Sequence, residues 1–323
     1  MVKAIRIHET GGSEVFRWED IAVGEPGPGE IRIRQTAIGV NYLDTYHRRG
    51  IYPIGLPAVI GNEGAGIVEA LGKNVRGLKP GDRIAYGLPP VGSYSEARII
   101  PAWIAVRIPE GVSDQTAAAM MLKGMTAEYL LRRTYRVKTG DTVLIHAAAG
   151  GVGLILCQWA KHLGATVIGT VSTDEKADLA RHHGCDHAII YGREDFVRRT
   201  RDITNGQGVA VVYDGVGKDT VYGSMRVLRR FGVLALYGQA SGDPGPIDMT
   251  GLRGNAGYFT RPGLMVYNTN RKELLASTRA LFDVMAKGAV KIAVNQAFPL
   301  REAAEAHRAL EGRRTTGAIV LLP

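Results

Sequence analysis

Apolar residues along this chain fall into two regimes. From Thr142 onward, short unbroken apolar runs alternate with stretches whose apolar positions recur every three or four residues. Thr142–His146, Ala165–Val171, His187–Tyr191, Val209–Tyr213 and Val233–Tyr237 are the runs; lacking strict alternation, they predict parallel strands covered on both faces. Between them, 152–163, 174–183, 194–204 and 219–228 predict helices, the first with Val152, Ile155, Leu156, Trp159, Ala160 and Leu163 on one face. Gly164 and Gly184 stand where a helix must end in a left-handed residue. Alternating elements of this length predict a doubly wound parallel α/β sheet over residues 124–262.

The first 120 residues read differently. Strand-like segments at 2–8, 30–38, 65–71, 83–86 and 97–100 are separated by turn signals such as Glu25-Pro-Gly-Pro-Gly29 and Lys79-Pro-Gly-Asp82. That predicts a β-rich, barrel-like domain. The tail ends in another strand-like run, Ala318–Leu322, expected to return to the first domain. The sheet domain would then be an insertion, with residues 1–123 and 263–323 on either side of it.

The junction of the first parallel strand with the helix after it carries the first chemical signal. His146 is followed by Ala147, Ala148, Ala149, Gly150, Gly151, Val152 and Gly153, and Ala147, Gly150 and Gly153 sit at the spacings of a dinucleotide-binding turn, with alanine for the usual first glycine. Small residues there let the backbone of Gly150, Gly151 and Val152 approach a pyrophosphate, and the helix start aims N–H groups at it. After the second strand an NAD site needs an acid for the ribose hydroxyls; this chain has Ser172, then Lys176, whose point charge suits a 2′-phosphate. NADPH is the expected coenzyme. Asp174 and Glu175 are expected on the first helical turn, facing solvent.

Composition narrows the setting. A net charge of +9 is spread along the chain, and no basic tract with interleaved aromatics argues for nucleic acid. No apolar window reaches the roughly 18 residues of a membrane span, and the N-terminus lacks an apolar secretory core. Two cysteines, Cys157 and Cys185, provide no disulfide framework, so a cytoplasmic setting is expected. The cluster His182-His183-Gly-Cys185-Asp-His187 is a metal candidate by composition, but it falls at a helix end with no fixed scaffold.

Further motifs occur in a fixed order: Gly39-Val-Asn-Tyr-Leu-Asp-Thr-Tyr46, Gly61-Asn-Glu-Gly-Ala-Gly66, Gly81-Asp82-Arg83, Leu122-Lys-Gly-Met-Thr-Ala127, Val212-Tyr-Asp-Gly-Val-Gly217 and Thr260-Arg-Pro262. With the 146–153 turn, they make the chain resemble, over its whole length, the zeta-crystallin-type quinone oxidoreductases of the zinc-independent medium-chain dehydrogenase/reductase branch. The resemblance implies a Rossmann domain inserted in a GroES-like β-barrel catalytic domain, NADPH bound in the cleft between them, a homodimer, and reduction of small quinones without a metal. Asn41 and Asn62 align where zinc-dependent cousins have a Cys and a His ligand, and two cysteines cannot build a four-Cys structural site. With no Lewis acid to activate an alcohol, acceptors that are already electrophilic are expected. An NADPH-dependent alkenal or enone double-bond reductase is the competing enzyme, and an RNA-associated or structural nucleotide-binding protein the competing class.

The same resemblance implies that Asn41, Tyr46, Lys123 and Thr126 stand near the nicotinamide end. Tyr191 joins Lys176 at the 2′-phosphate. Ala149, Val216, Tyr237, Gly238, Gln239, Ser241, Phe259, Arg261 and Arg313 carry over as coenzyme-lining positions. Asn41, Tyr46, Tyr52 and Lys123 are the catalytic candidates. Asn41 either donates to an acceptor oxygen or stabilises a turn; Tyr46 and Tyr52 donate protons, wall a planar ring, or simply pack; Lys123 either stabilises negative charge or is a surface lysine opening a helix. Gly257-Tyr-Phe-Thr260 is the expected edge strand for a dimer, with Val233–Tyr237 internal.

Overall fold

The computed structural model describes all 323 residues. In chain order the elements are β1 (Val2–Ile7), β2 (Arg17–Ile21), β3 (Glu30–Val40), α1 (Tyr42–Arg48), β4 (Ala58–Val59), β5 (Glu63–Leu71), β6 (Arg83–Tyr86), β7 (Ala97–Pro101), β8 (Val106–Arg107) and α2 (Asp114–Tyr129). Next come β9 (Thr142–Ile145), α3 (Gly151–His162), β10 (Thr166–Val171), α4 (Asp174–His182), β11 (His187–Ile190), α5 (Phe196–Ile203), β12 (Val209–Asp214), α6 (Val221–Arg226) and β13 (Leu228–Leu236). The chain closes with β14 (Tyr258–Thr260), α7 (Leu264–Tyr267), α8 (Arg271–Ala286), β15 (Val294–Pro299), α9 (Ala303–Glu311) and β16 (Ala318–Leu322). No helix is long and apolar enough to cross a membrane.

The chain divides into two units. The first comprises Met1–Lys123, Asn268–Thr278 and Ile292–Pro323. Its larger sheet runs β15-β16-β3-β5-β6-β8, with β7 also on β3, and a smaller one runs β2-β1-β4. β3 is the spine: it pairs antiparallel with β5, β7 and β16, and register shifts at 32/33 and 35/37 bend it. The terminal strand β16 therefore does return to the first unit. Ile5, Ile7, Ile38, Ile60, Tyr94, Leu300 and Leu321 share its main core.

The second unit comprises Gly124–Tyr267 and Arg279–Lys291. It extends past residue 262, because Tyr267 stacks on Tyr129 (centroids 4.5 Å apart, 6° between planes) and takes the Arg133 guanidinium over its ring. Its six strands are all parallel in the order β11-β10-β9-β12-β13-β14, the doubly wound order that reverses direction between β9 and β12. Strands buried on both faces explain the unbroken apolar runs: Leu144, Ile168, Ile189, Val212 and Leu234 meet in one core. Gly164 and Gly184 have φ of +86° and +90°, the left-handed ends their positions require.

One stretch differs from expectation. The helix expected over 219–228 is shorter and the strand expected from Val233 is longer: α6 stops at Arg226, and Leu228 already opens β13, pairing with Val209 before a register shift brings Val233 opposite Val211. Val221, Met225 and Leu228 have helical spacing, yet all three serve the same core, so the period continues past the helix itself. β13 lies between β12 and β14, and β14 is the sheet edge.

Candidate functional site

The candidate residues fall into one group in each unit. In the second unit, β9 delivers the chain to His146 and then to Ala147, which adopts φ +52°. An L-residue there is strained by about 1–2 kcal/mol, so the alanine must be held. Gly150 donates to the Ala147 carbonyl at 2.9 Å and Ala148 to Thr170 at 3.0 Å, which closes the turn. Gly150 caps α3, leaving the N–H groups of Gly151, Val152 and Gly153 without a carbonyl one turn back. A Cβ on Gly153 would collide with the Ala147 carbonyl oxygen and lie 2.8 Å from Ala148 Cα. Glycine is therefore required for close backbone packing at this point, and the turn presents a cradle of donors that fits a pyrophosphate. Ala149 is buried beside it.

The residues expected at the 2′-phosphate cluster at the carboxyl ends of β10 and β11. Ser172 directly follows β10, and Thr173 caps α4 by accepting from the Lys176 N–H at 3.3 Å. Tyr191 follows β11, donates its N–H to Val171 at 3.2 Å, and leaves its ring 44% exposed. Asp174 and Glu175 do occupy the first turn of α4. A serine hydroxyl, a lysine and a tyrosine at adjacent strand ends fit a phosphorylated ribose.

A third turn, after β13, is tied to the loop after β12. Ser241 donates from N–H and Oγ to the Val216 carbonyl (2.8 and 2.9 Å), and Gly238 packs against Gly215, where a Cβ would lie 2.7 Å from its oxygen. Tyr237 lies over Gly215, Arg261 Nη2 donates to Gln239 Oε1 at 2.8 Å, and Phe259 packs on the sheet core. Thr126, on α2, bonds Tyr129.

Sequence reasoning missed what fixes these turns. His146, Thr170, Ser224 and Asp214 form a buried chain: Ser224 Oγ donates to Asp214 Oδ2 (2.9 Å), so it accepts from His146 Nε2–H (3.0 Å), and Nδ1 accepts from Thr170 (2.9 Å). Burial lowers the His146 pKa and keeps it neutral. Asp214 Oδ1 accepts from Val216 and Gly217 N–H (2.9 and 3.0 Å) and from Thr220 Oγ1 (2.8 Å), anchoring the loop. Serine lies between histidine and aspartate, the wrong order for a nucleophile activated by the histidine. The cluster positions backbone.

In the first unit, register builds the site. Gly39 lies opposite Glu63 in the β3–β5 pair, and a Cβ at residue 39 would collide with the Glu63 carboxylate. The bare glycine lets a fully buried carboxylate turn inward. Glu63 Oε2 accepts from Asn41 Nδ2 and from Lys123 Nζ, both at 2.8 Å, while Oε1 accepts from the Leu122 N–H at 2.8 Å. Lys123 is thus not a surface lysine opening a helix: it lies deep within α2 and is 5% exposed. Asn41 caps α1 and gives its N–H to Asp44 Oδ2 at 2.8 Å. Asn62 Nδ2 donates to Asp44 Oδ1 at 3.0 Å, leaving Asn62 Oδ1 buried without a partner.

On and just after α1, Tyr42, Tyr46 and Tyr52 form an aromatic cluster, with Tyr46 5.7 Å from Tyr42 and 5.4 Å from Tyr52 between centroids. Tyr46 is buried and Tyr52 is 40% exposed. Arg313 follows α9 with φ +57°, and its charge reaches Tyr42.

The donor set does not fit zinc. Asn41 and Asn62 spend their amide nitrogens on carboxylates, and no group of three His, Cys, Asp or Glu side chains is arranged to hold a metal. In the 182–187 cluster, His182 and His183 each bond a carbonyl of their own helix (2.7 and 2.8 Å), and Cys185 is buried against β10.

Asp44 also accepts from Tyr94 OH (3.0 Å); Tyr94 accepts from His307 Nε2 (2.9 Å), and His307 Nδ1 accepts from Arg48 Nη1 (2.8 Å), whose other nitrogen grips Glu311. Burial pushes Asp44 up to about 6 against its hydrogen bonds, and burial with Arg48 holds His307 down at about 3. His307 contributes stability that is present above pH 6.5 and lost as pH falls toward 3. Asp44 does the reverse: its contribution is present below 3.8 and lost as pH rises through 6. Between pH 6 and 4 the two slopes, each about 1.4 kcal/mol per pH unit, oppose one another. Replacing His307 with Asn should therefore make the protein gain stability on acidification from pH 6.5 to 5, relative to wild type, in urea titrations. A parallel pair of profiles would refute the assignment.

The chain is similar to known proteins over its whole length. Residues 27–110 match the alcohol dehydrogenase GroES-like domain family, and residues 151–274 match the family described as zinc-binding dehydrogenase. The chain is 51% identical to a 2-haloacrylate reductase of a Burkholderia species, over 100% of this chain and 99% of that one. It is 48% identical to a quinone oxidoreductase of Pseudomonas aeruginosa over 100% of both. The crystal structure of Escherichia coli quinone oxidoreductase complexed with NADPH superposes with a TM-score of 0.97 at 43% identity, covering 99% of this chain and 100% of that one.

Proposed function

This chain belongs to the quinone oxidoreductase family of the medium-chain dehydrogenase/reductase superfamily, and we propose that it is an NADPH-dependent oxidoreductase whose acceptor is a small quinone. The observation that carries this reading is the Glu63 carboxylate, which holds an ammonium and an amide side by side in a site without zinc-type donors. NADPH, when bound, supplies the hydride. Gly150, Gly151 and Val152 bind its pyrophosphate, Ser172, Lys176 and Tyr191 its 2′-phosphate, and Val216 with residues 237–241 line the remainder. Lys123 and Asn41 offer hydrogen bonds to an acceptor oxygen on which negative charge builds, preorganised so that no reorientation is needed as it develops. Tyr46 and Tyr52, whose rings meet edge to face, offer aromatic surface against which a ring can pack. A quinone ring is electrophilic at carbon without a metal, and after the hydride equivalent is accepted its reduced oxygens take their proton from water.

A second reading has its own support: a relative at 51% identity acts as a 2-haloacrylate reductase, and the same donors suit the oxygens of a conjugated acid or carbonyl. Steady-state rates with 1,4-naphthoquinone and 2-chloroacrylate decide between them. The quinone reading expects kcat/KM at least about tenfold higher for naphthoquinone; the opposite ratio assigns the chain to the alkene reductases. With either acceptor, Ser172→Asp with Lys176→Ala should move preference from NADPH toward NADH, and unchanged discrimination would remove the phosphate-pocket assignment.

A homodimer paired through β14 belongs to the same proposal. β14 is the edge of the parallel sheet, where Tyr258 is 60% exposed and nearby Phe231 52%. Sedimentation should give twice the chain mass for wild type and the chain mass for Tyr258→Lys; a wild-type monomer would end the idea. Two free, buried cysteines suit a reducing cytoplasm.

A further inference from the structure

The first turn of α4, just beyond β10, carries two acids, Asp174 and Glu175, between Ser172 and Lys176. Taken alone, that composition argues against a phosphorylated ribose. A carboxylate at this strand end accepts from free ribose hydroxyls and repels a 2′-phosphate. In the folded chain Asp174 is not free. Arg193, two residues beyond Tyr191 on the turn after β11, holds both of its oxygens: Nη1 to Oδ1 at 3.0 Å and Nη2 to Oδ2 at 2.7 Å. This planar, two-bonded grip is what distinguishes arginine from lysine as a partner for a carboxylate.

The pair ties the start of α4 to the turn after β11, the two segments that carry the phosphate-pocket residues. Arg193 is itself anchored by its N–H to the Ile190 carbonyl at 2.9 Å. Its charge reaches Glu175 as well, whose pKa is lowered first by the hydrogen bond with Thr173, then by a backbone hydrogen bond, and further by Arg193. With side chains 66% and 58% exposed, the Arg193–Asp174 pair adds little to fold stability. Its effect lies in the local field. The formal charges of Asp174, Glu175, Lys176 and Arg193 cancel; without Arg193 the same stretch is net negative where a dianionic phosphate must settle.

We propose that Arg193 is a specificity-determining residue for the phosphorylated coenzyme, acting by masking the Asp174 carboxylate rather than by holding the phosphate itself. The proposal rests on the reading of Ser172, Lys176 and Tyr191 as the 2′-phosphate pocket. Removing the mask leaves a carboxylate that disfavours NADPH and welcomes the hydroxyls of NADH.

Fluorescence titration of the purified protein with NADPH and with NADH, at low ionic strength and without acceptor, tests this. Arg193→Gln should weaken NADPH by about five- to tenfold, as one exposed charge near a dianion would, and leave NADH unchanged or tighter. Adding Asp174→Asn to it should return NADPH to within about twofold of wild type, because the charge to be masked is gone. Equal weakening of both coenzymes by Arg193→Gln, or no recovery in the double variant, overturns the masking role. Lys176→Ala separates the two readings. A changed NADPH-to-NADH ratio there with none in Arg193→Gln refutes masking and keeps the pocket, whereas no change in either variant refutes both.

Discussion

Glu63→Ala should destabilise the protein by about 3–5 kcal/mol, the cost of leaving a buried charge without its partner. Glu63 is fully buried, and the Lys123 side chain paired with it is only 7% exposed. Removing the carboxylate strands the ammonium and the Asn41 amide together, since both donate to its Oε2. Lys123→Met added to Glu63→Ala should recover a large part of the loss, because the orphaned charge is then absent. Urea denaturation followed by circular dichroism measures both. A single-variant cost below about 1 kcal/mol would mean that Lys123 is solvated or neutral, and that the paired donors proposed for the acceptor oxygen are not held as described.

Gly153→Val is expected to have the largest effect on coenzyme binding. Its Cβ would enter the space of the Ala147 carbonyl oxygen, and backbone cannot step aside as a flexible side chain can. The turn must open, costing about 1–3 kcal/mol in stability and displacing the N–H cradle by enough to weaken binding about 100-fold. Gly150→Ala is the control: its Cβ meets that same oxygen at 3.2 Å, tight but open to a small adjustment. Titration of both variants with NADPH should separate them by at least an order of magnitude. Equal affinities would show that close packing in this turn does not govern coenzyme binding.

The sequence disclosed the second unit far better than the first. Strand, turn and helix around Ala147–Gly153 are local: apolar run, small residues and helical period all lie between Thr142 and His162, and the parallel order follows from short alternating elements. The first-unit site is built across long separations. Asn41 and Glu63 meet only through the β3–β5 register, Lys123 reaches them from α2, and His307 joins Arg48 from 259 residues away. No periodicity carries such pairings. One local hint existed: Glu63 stands in a run of small residues, Gly61, Gly64, Ala65 and Gly66, that lets other backbone pack closely over the strand, and an acid buried by such packing needs an internal partner. Both readings of Lys123 stay open at the level of sequence, because a lone lysine in an apolar helix resembles a solvated one until its counter-charge is known. The end of α6 was misjudged because Leu228 keeps the helical spacing after the backbone has extended.

The alanine at residue 147 has a consequence for anyone redesigning this protein. Its methyl group narrows the shapes that the segment samples before folding, while its left-handed backbone holds a little tension afterwards. Substituting glycine would release that tension and at the same time enlarge the disordered ensemble, so the two changes largely offset in equilibrium stability. What would change is the looseness of the segment, which makes residue 147 a place to tune how quickly coenzyme enters and leaves without altering any group that touches it.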